Sequence, residues 1–254
     1  MESDRARLKS AFADFNRSSA FPEVVLIPEK SMKDRKLQGY FNTMLFRDLI
    51  EHYNLTNHEA VRYFLKRLMA NLSKPTSVNS IYNDLKSKGL KISKDKIYEL
   101  ADYVCDIFLF FRIPKYEKSL VKESSAPFKY YCIDNGLRNA VLLPQSGDDG
   151  KLLENTVLLH LKRNSGPSTK ISYYQGTKEC DFVIQQDDSI NELLQVTWDM
   201  SDAGTRAREI EGLLEASSIT GCESLTVITV DEEAELAVSG KIIRVIPAWK
   251  WLLL

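Results

Sequence analysis

Residues 150–198 contain oxygen-bearing side chains at a spacing that suits metal chemistry. Glu154 lies in a run with apolar residues at helical spacing, Asp181 opens a β-like run, and Gln195 lies inside the next one. Glu179, two residues before Asp181, would share its strand face. Hard divalent cations prefer oxygen ligands, and Mg²⁺ usually takes one or two carboxylates plus water and substrate oxygens. The pattern therefore predicts a weak Mg²⁺ site on Glu154, Asp181 and Glu179.

A helix followed by a β-hairpin must position these side chains. The helix begins after Gly150, and three β-like runs follow it at 171–174, 181–184 and 193–198. Further along, a helical segment separates this hairpin from two more β-like runs, at 225–230 and 242–246. Strands separated by a helix predict a mixed, partly parallel sheet with flanking helices. A plainer interpretation is that Glu154 faces solvent, Asp181 ends a turn and Gln195 is an ordinary strand residue.

The same residues resemble the motif of the PD-(D/E)xK nuclease superfamily. In that superfamily a helix Glu, a strand Asp and an (E/Q)-x-K strand gather around a metal ion. Glu154 matches the helix acid, Asp181 the strand acid, and residues 195–197 the triplet. The resemblance implies a restriction-endonuclease-like α/β domain over residues 150–254. It also implies that Glu154, Asp181 and Gln195 are the catalytic residues.

One departure from the motif bears on activity. Thr197 stands where the superfamily has its lysine, which is thought to position the attacking water or to stabilise charge on the phosphate. A hydroxyl can orient water but adds no positive charge, and Gln195 brings a neutral amide oxygen. Lys178 and Lys162 are candidates to supply the cation from elsewhere in the chain. We therefore expect metal binding with little or no nuclease turnover; the alternative is an active Mg²⁺-dependent DNA nuclease.

The charge of the chain is unevenly distributed. The 254 residues suit two domains of ordinary size. Residues 1–145 hold 24 Lys and Arg against 17 Asp and Glu, whereas residues 146–254 hold 10 against 18. The first part is therefore the better candidate for contact with nucleic-acid phosphates. A plainer explanation is that the two parts attract each other.

Other features of the sequence exclude several classes of protein. There is no long apolar span and no signal peptide, which predicts a soluble, cytoplasmic protein with no membrane partner. The cysteines lack zinc-site spacing and are expected to be buried, reduced thiols: Cys105, Cys132, Cys180 and Cys222. The histidines show no metal-ligand spacing either: His52, His58 and His160.

Residues 56–143 have the element order of a winged helix-turn-helix. Predicted N-caps at Thr56 or Asn57, at Thr76-Ser77 and at Ser93 start three helices, and Gly89 takes the C′ position of the second. Two strands, at 108–116 and 129–133, follow with a loop between them at 117–128. Helix, short helix, tight turn and helix is the helix-turn-helix order.

DNA contact would involve five lysines. The helix that begins at Ser93 would be the recognition helix, with Lys91, Lys94 and Lys96 near its start. Lys118 and Lys122, in the loop between the strands, would contact phosphates. The alternative is a winged helix that serves only in protein packing, and the residues on the same helix that weaken a DNA interpretation are Tyr98, Glu99 and Asp102.

Nearly the whole chain resembles one prokaryotic family. In that family an AAA-type P-loop ATPase module is followed by a winged helix and a C-terminal domain of unknown function similar to PD-(D/E)xK nucleases. The segments that carry the resemblance are 21–24, 40–41 with 47–48, 129–137, 150–155, 179–182 and 205–210. The resemblance implies that residues 1–55 are a helical remnant of the ATPase lid. No G-x-x-x-x-G-K-[ST] motif is present, so we expect no nucleotide binding and no ATPase activity in this chain.

The expected fold class is α+β with several domains: a helical N-terminal part with a winged helix, then a mixed α/β domain. The chain looks like the C-terminal part of such an ATPase protein, without its motor. Two function classes remain open. One is a metal-dependent nuclease, active or degenerate, that a winged helix brings to DNA. The other is a non-catalytic interaction module that regulates or targets its own or a neighbouring ATPase module.

Overall fold

The computed structural model describes residues 2–143, 145 and 147–254. Pro144 and Ser146, which lie between the predicted domains 56–143 and 150–254, are outside the described residues. A π-helix, Met44–Glu51, continues the third α-helix. The α-helices are α1 (Glu2–Arg17), α2 (Pro22–Val25), α3 (Lys30–Thr43), α4 (His58–Ala70), α5 (Val78–Ser87), α6 (Lys94–Asp106), α7 (Leu120–Ser125), α8 (Asn135–Val141), α9 (Asp149–Asn164), α10 (Ala203–Thr220) and α11 (Ala248–Trp251). The strands are β1 (Pro75–Thr76), β2 (Phe110–Ile113), β3 (Phe128–Cys132), β4 (Thr169–Gln175), β5 (Glu179–Gln186), β6 (Ser189–Val196), β7 (Leu225–Thr229), β8 (Ala234–Val238) and β9 (Lys241–Pro247).

The chain divides into two compact units, each assembled from separate segments. We call Phe15–Arg112 with Pro127–Ser146 the helical unit. The sheet unit comprises Met1–Asp14, Ile113–Ala126 and Gly147–Leu254. The predicted α+β class with several domains is confirmed. Residues 1–14 and 113–126 belong to the sheet unit. The predicted ranges instead group these two segments with the helical N-terminal part and the winged helix.

Local capping sets the helices of the helical unit. Asn57 Oδ1 accepts a hydrogen bond from Ala60 N at 3.0 Å, which satisfies a donor at the start of α4. Ser93 Oγ accepts from Lys96 N at 3.2 Å at the start of α6. Gly89 follows α5 with φ of +73°, a left-handed conformation that glycine adopts without strain. The predicted helix starts and the predicted C′ glycine are confirmed at these positions.

The small sheet of the helical unit has the strand order β1-β3-β2. β1 pairs with β3 in antiparallel register, with Pro75 opposite Lys129. β2 is shorter than the predicted strand at 108–116, and the predicted loop at 117–128 contains α7, where Glu123 N donates to Ser119 O at 3.0 Å. A six-residue helix of this kind lacks the length for an apolar period, which is why the sequence pattern does not predict it.

Residues 15–54 belong to the helical unit, and polar hydrogen bonds join the first part of this segment to the start of α8. Asp134 caps α8, with Leu137 N donating to its carboxylate at 2.7 Å, and it also accepts from Ala20 N at 2.7 Å. Asn135 Nδ2 donates to Asn16 O at 2.8 Å. Burial raises the pKa of Asp134, although its backbone donors oppose that shift. The segments on both sides of residue 55 therefore lie in the helical unit, and the predicted domain ranges stay a prediction.

The sheet unit is built on six strands in the order β4-β5-β6-β7-β9-β8. β4, β5 and β6 form an antiparallel meander, and α10 then returns the chain so that β7 pairs parallel to β6. β9 is parallel to β7, and β8 is antiparallel to β9. The core lies between α10 and the sheet and includes Val183, Leu193, Leu213 and Val227. The predicted helix, hairpin and mixed sheet are confirmed.

The segment between β2 and α7 packs along β4. Tyr116 N donates to Tyr173 O at 2.6 Å, and Tyr173 N donates to Pro114 O at 3.0 Å. In α7, Glu123 forms an ion pair with Lys170 of β4 at 2.6 Å. These bonds place the predicted wing residues in the sheet unit. Among the described residues, no helix combines the length and the apolar character needed to span a bilayer.

Candidate functional site

The predicted acidic residues meet at one cavity in the sheet unit. The cavity has a volume of about 560 Å³ and lies among α9, β5, β6 and α10. Glu154, Glu179, Asp181 and Gln195, which the sequence singles out, all line it. The remaining lining residues are Gln175, Gly176, Thr177, Lys178, Val196, Arg208 and Glu209.

Strand pairing brings Asp181 and Gln195 together. Phe182 pairs with Leu194, so Asp181, which precedes Phe182, lies beside Gln195, which follows Leu194 on the antiparallel strand. Asp181 N donates to Gln195 Oε1 at 3.1 Å, and Val196 N donates to Asp181 Oδ2 at 2.9 Å. The exposed fractions are 6% for Asp181 and 5% for Gln195. The amide oxygen of Gln195 therefore receives a backbone N–H, and one carboxylate oxygen of Asp181 is similarly engaged.

Two residues of α10 complete this network, and the motif does not predict either of them. Gln195 Nε2 donates to Glu209 Oε2, and Glu209 is only 6% exposed. Arg208 donates to Glu209 Oε1 from Nε at 3.2 Å and from Nη2 at 2.6 Å. The hydrogen bond to Glu209 raises the pKa of Arg208, with smaller contributions from the charges of Glu209 and Asp181. In the sequence, the only feature that points to Arg208 and Glu209 is their position in residues 205–210, one of the segments that carry the family resemblance.

Thr197, at the motif position of the superfamily's lysine, does not line the cavity. Thr197 is buried, and its hydroxyl donates to Asp199 O at 3.3 Å. Among the described residues that line the cavity, the cations are Lys178 and Arg208. Lys178 forms an ion pair with Glu211 at 2.7 Å, whereas Lys162 is not a lining residue. Of the two lysines considered from the sequence, the structure places only Lys178 at the cavity.

The β4–β5 turn forms one wall of the cavity and is held by Glu215. The carboxylate of Glu215 accepts from Tyr174 OH at 2.9 Å, Thr177 N at 2.8 Å and Lys178 N at 2.9 Å. Burial raises the pKa of Glu215, but these donors outweigh it and the net pKa is lowered. Burial and the bond to Glu215 raise the pKa of Tyr174 to about 12. A Cβ at Gly176 would lie 2.1 Å from Glu215 Oε1 and 2.3 Å from Tyr174 OH, so a side chain there would displace this hydrogen-bonded pair.

The donor set fits a weakly held Mg²⁺ or Mn²⁺. Glu154 and Asp181 present carboxylates to the same cavity, and this cation is usually held by one or two carboxylates with water and substrate oxygens. In the part of the chain that the structure describes, no group of three or more His, Cys, Asp or Glu is arranged to hold a metal ion. Glu154 and Asp181 are thus the residues that would hold it.

The predicted DNA-contacting lysines fall in both units. Lys94 and Lys96 lie in the first turn of α6, and Lys91 precedes it, all in the helical unit. Lys96 forms an ion pair with Glu99 at 2.7 Å, and this bond raises the pKa of Lys96. Lys118 and Lys122, in contrast, belong to the sheet unit. The structure brings three of the five lysines to one helix end.

Comparison with known proteins identifies the family. Residues 17–148 match the family described as Domain of unknown function (DUF8612). This chain belongs to the DUF8612 family. The DUF8612 match covers the predicted winged helix and ends before α9, so the cavity residues lie outside the matched range.

The DUF8612 chain also resembles two curated proteins. One is an uncharacterized protein of Methanocaldococcus jannaschii. It is 29% identical over an alignment of 259 residues, which covers 98% of this chain and 57% of that protein. The other is an uncharacterized protein of Haemophilus influenzae, 24% identical over 193 residues, which cover 75% of this chain and 47% of that protein. The chain thus spans about half the length of the curated relatives that it matches.

Proposed function

We propose that this chain is a nuclease-like module of an AAA-type ATPase that binds a divalent cation weakly and does not cleave nucleic acid. One observation carries the proposal. Glu154 and Asp181 converge on a single cavity, whereas Thr197, at the motif position of the lysine, contributes no charge and does not line that cavity. A cation bound by the two carboxylates would supply charge neutralisation at a phosphate. The chain would still lack the lysine that orients the attacking water.

The order of elements around the cavity supports a nuclease-like domain. Its helix acid lies on α9, its strand acid on β5, and its triplet runs from the end of β6, in the order of the superfamily motif. β5 and β6 are adjacent and antiparallel, so both strand residues reach the cavity. The hydrogen bond between Asp181 and Gln195 is consistent with a preserved scaffold.

A winged helix is the best interpretation of the helical unit. Its order is α4, β1, α5, α6, β2 and β3, and its sheet order β1-β3-β2 is compatible with two strands that follow the last helix. The lysines at the start of α6 suit DNA, while the ion pair between Lys96 and Glu99 reduces the free positive charge there. We propose contact with DNA or with protein, including an ATPase module, through this unit.

Association with an ATPase rests on the family resemblance and on length. Because the chain covers 57% and 47% of its two relatives, those proteins have room for a further module. Their uncharacterized status leaves that module's activity as part of the proposal.

A cleavage assay tests the proposed loss of activity. Purified chain is incubated with supercoiled and single-stranded DNA in Mg²⁺ or Mn²⁺. We expect no more cleavage by the wild type than by Asp181→Asn. Asp188→Asn, an exposed acid in the β5–β6 turn, is the matched control. Cleavage that Asp181→Asn removes and Asp188→Asn retains would instead establish the alternative.

That alternative is an active Mg²⁺-dependent DNA nuclease, and the position of Arg208 favours it. Arg208 lines the same cavity as Asp181 and remains cationic, so it supplies a positive charge that Thr197 lacks. An arginine does not activate water as readily as a lysine with an adjustable pKa, which is why binding without turnover is the stronger proposal.

DNA binding by the helical unit should depend strongly on salt. Replacing Lys91, Lys94 and Lys96 by Glu should weaken binding of duplex DNA by at least about tenfold at low salt and flatten the salt dependence, because phosphate contacts release counterions. Fluorescence anisotropy across a salt series measures both quantities.

Two further variants test where the DNA lies. Glu replacing Lys118 and Lys122 reports on the sheet unit, and we expect a smaller loss from it. Glu replacing Lys33 and Lys74 changes the charge of the helical unit at positions outside α6. Equal losses from all three variants would show nonspecific attraction, and undetectable wild-type binding at low salt would leave protein contact as the role of this unit.

A further inference from the structure

The cavity contains a cation whose position is independent of the motif. Arg208 lies on α10, whereas the superfamily's lysine would lie two residues after Gln195 on its strand. Arg208 is tied to the acids through Glu209, which also accepts from Gln195. Gln195 in turn accepts from Asp181 N. A continuous set of hydrogen bonds therefore fixes the guanidinium relative to the carboxylate of Asp181.

Arg208 is available to a ligand despite this bond. Its side chain is 64% exposed, while that of its partner Glu209 is 8% exposed. Within the described part of the chain, the side-chain hydrogen bonds of Arg208 go to Glu209 alone, through Nε and Nη2. A guanidinium has five N–H donors, so others remain for a second anion. The flat, permanently charged fork suits the oxygens of a phosphate.

The charges around the cavity set a condition on that ligand. The lining residues include four acids, Glu154, Glu179, Asp181 and Glu209, against Lys178 and Arg208. A phosphate by itself would be repelled by this excess of negative charge. A divalent cation on Glu154 and Asp181 would neutralise this excess of two negative charges. The volume of about 560 Å³ falls in the range of small-ligand sites and accommodates a nucleotide-sized group.

We propose that Arg208 receives the phosphate of a phosphate ester, so that the cavity binds this ligand together with a divalent cation. The inference rests on the proposed metal site and adds the ligand class and the residue that recognises it. Binding of the two is coupled: each raises the affinity for the other by the same factor. The phosphate ester is either a free nucleotide or a unit of a single-stranded nucleic acid, since both present the same group.

Calorimetry with thymidine 3′,5′-bisphosphate tests the proposal. The wild type should bind this probe in Mn²⁺ and lose binding in EDTA. Arg208→Gln should weaken probe binding in Mn²⁺ by roughly tenfold or more, because a charge-assisted bond is lost. Arg206→Gln is the matched control, since Arg206 is exposed on the same helix and does not line the cavity. It should change the affinity by less than about twofold.

Titration of Mn²⁺ alone separates this inference from the proposed function. Arg208→Gln should retain the wild-type Mn²⁺ heat, which also shows that the variant is folded. Arg208→Lys keeps the charge without the fork and should fall between the wild type and Arg208→Gln. If Mn²⁺ binds but the probe does not, the inference is wrong and the metal site stands. The same holds if Arg208→Gln and the control Arg206→Gln lose probe affinity equally. If Mn²⁺ itself does not bind, the proposed function fails first.

A competition experiment identifies the source of the phosphate. A short single-stranded oligonucleotide that displaces the bisphosphate in an Arg208-dependent manner supports a nucleic-acid strand as the ligand. Displacement by thymidine monophosphate but not by the oligonucleotide supports a free nucleotide. Displacement that is equal in wild type and Arg208→Gln contradicts recognition by Arg208.

Discussion

Asp181→Asn is expected to remove the calorimetric heat of Mn²⁺ binding. Asp181 is one of two carboxylates that would hold the cation, and a Mg²⁺-type site of so few protein ligands depends on each of them. We expect the affinity to fall by at least about tenfold, or ~1.4 kcal/mol. Asn keeps an acceptor for Val196 N, which donates to Asp181 Oδ2 at 2.9 Å, so the change tests charge with little damage to the strand pair.

Two other variants complete the metal experiment. Glu154→Gln should lower the heat as well, because it removes the carboxylate from α9. Asp188→Asn removes an exposed acid of the same hairpin and should leave the titration unchanged. Equal heats for wild type and Asp181→Asn would exclude these residues as a metal site. Circular dichroism melts of each variant show whether a lost heat reflects a lost fold.

Gly212→Ala is expected to destabilise the sheet unit by roughly 3 kcal/mol, the upper end of the cost of overpacking. A Cβ at Gly212 would lie 2.0 Å from Glu179 O, a backbone atom at the start of β5. Backbone cannot rotate away as a side chain does, so α10 and β5 must separate. Because Asp181 is two residues along β5, the variant should also weaken Mn²⁺ binding.

Gly204→Ala is the control on the same helix. Its Cβ would lie 3.3 Å from Asp202 Oδ1, a side-chain atom, and Gly204 is exposed near the start of α10. We expect a change within about 0.5 kcal/mol. Urea denaturation of the two variants compares their unfolding free energies. If Gly212→Ala unfolds at the wild-type midpoint, the close approach of α10 and β5 is wrong.

The local parts of this fold could be predicted from the sequence because local chemistry determines them. Ser93 starts α6 through its own hydroxyl, and Gly89 supplies a left-handed residue after α5. Glu154, Asp181 and Gln195 could be placed at one site because a helix and two adjacent strands leave few alternatives. Their actual hydrogen bonds could not be predicted, since an amide can either face the cavity or accept a backbone N–H.

The long-range parts lay beyond the sequence pattern. Arg208 reaches the cavity only because α10 packs across β5 and β6, and an Arg-Glu pair on an exposed helix is ordinary in itself. The lysines at 118 and 122 follow a segment that bonds to β4, and nothing in that segment's composition indicates a partner more than fifty residues later. The hydrogen bond from Ala20 N to Asp134 likewise joins residues 114 positions apart, and no local pattern indicates it.

The ion pair between Lys9 and Asp231 has a consequence for synthesis on the ribosome. It joins side chains at 2.5 Å within the sheet unit although 222 positions separate them in the chain. Translation proceeds from the N-terminus, so α1 emerges long before the strands that it contacts. The helical unit ends at residue 146 and can fold while the rest is still being made. The helix α1 must therefore wait for the segment around Asp231, and a product that stalls before this segment would leave α1 exposed to chaperones and proteases.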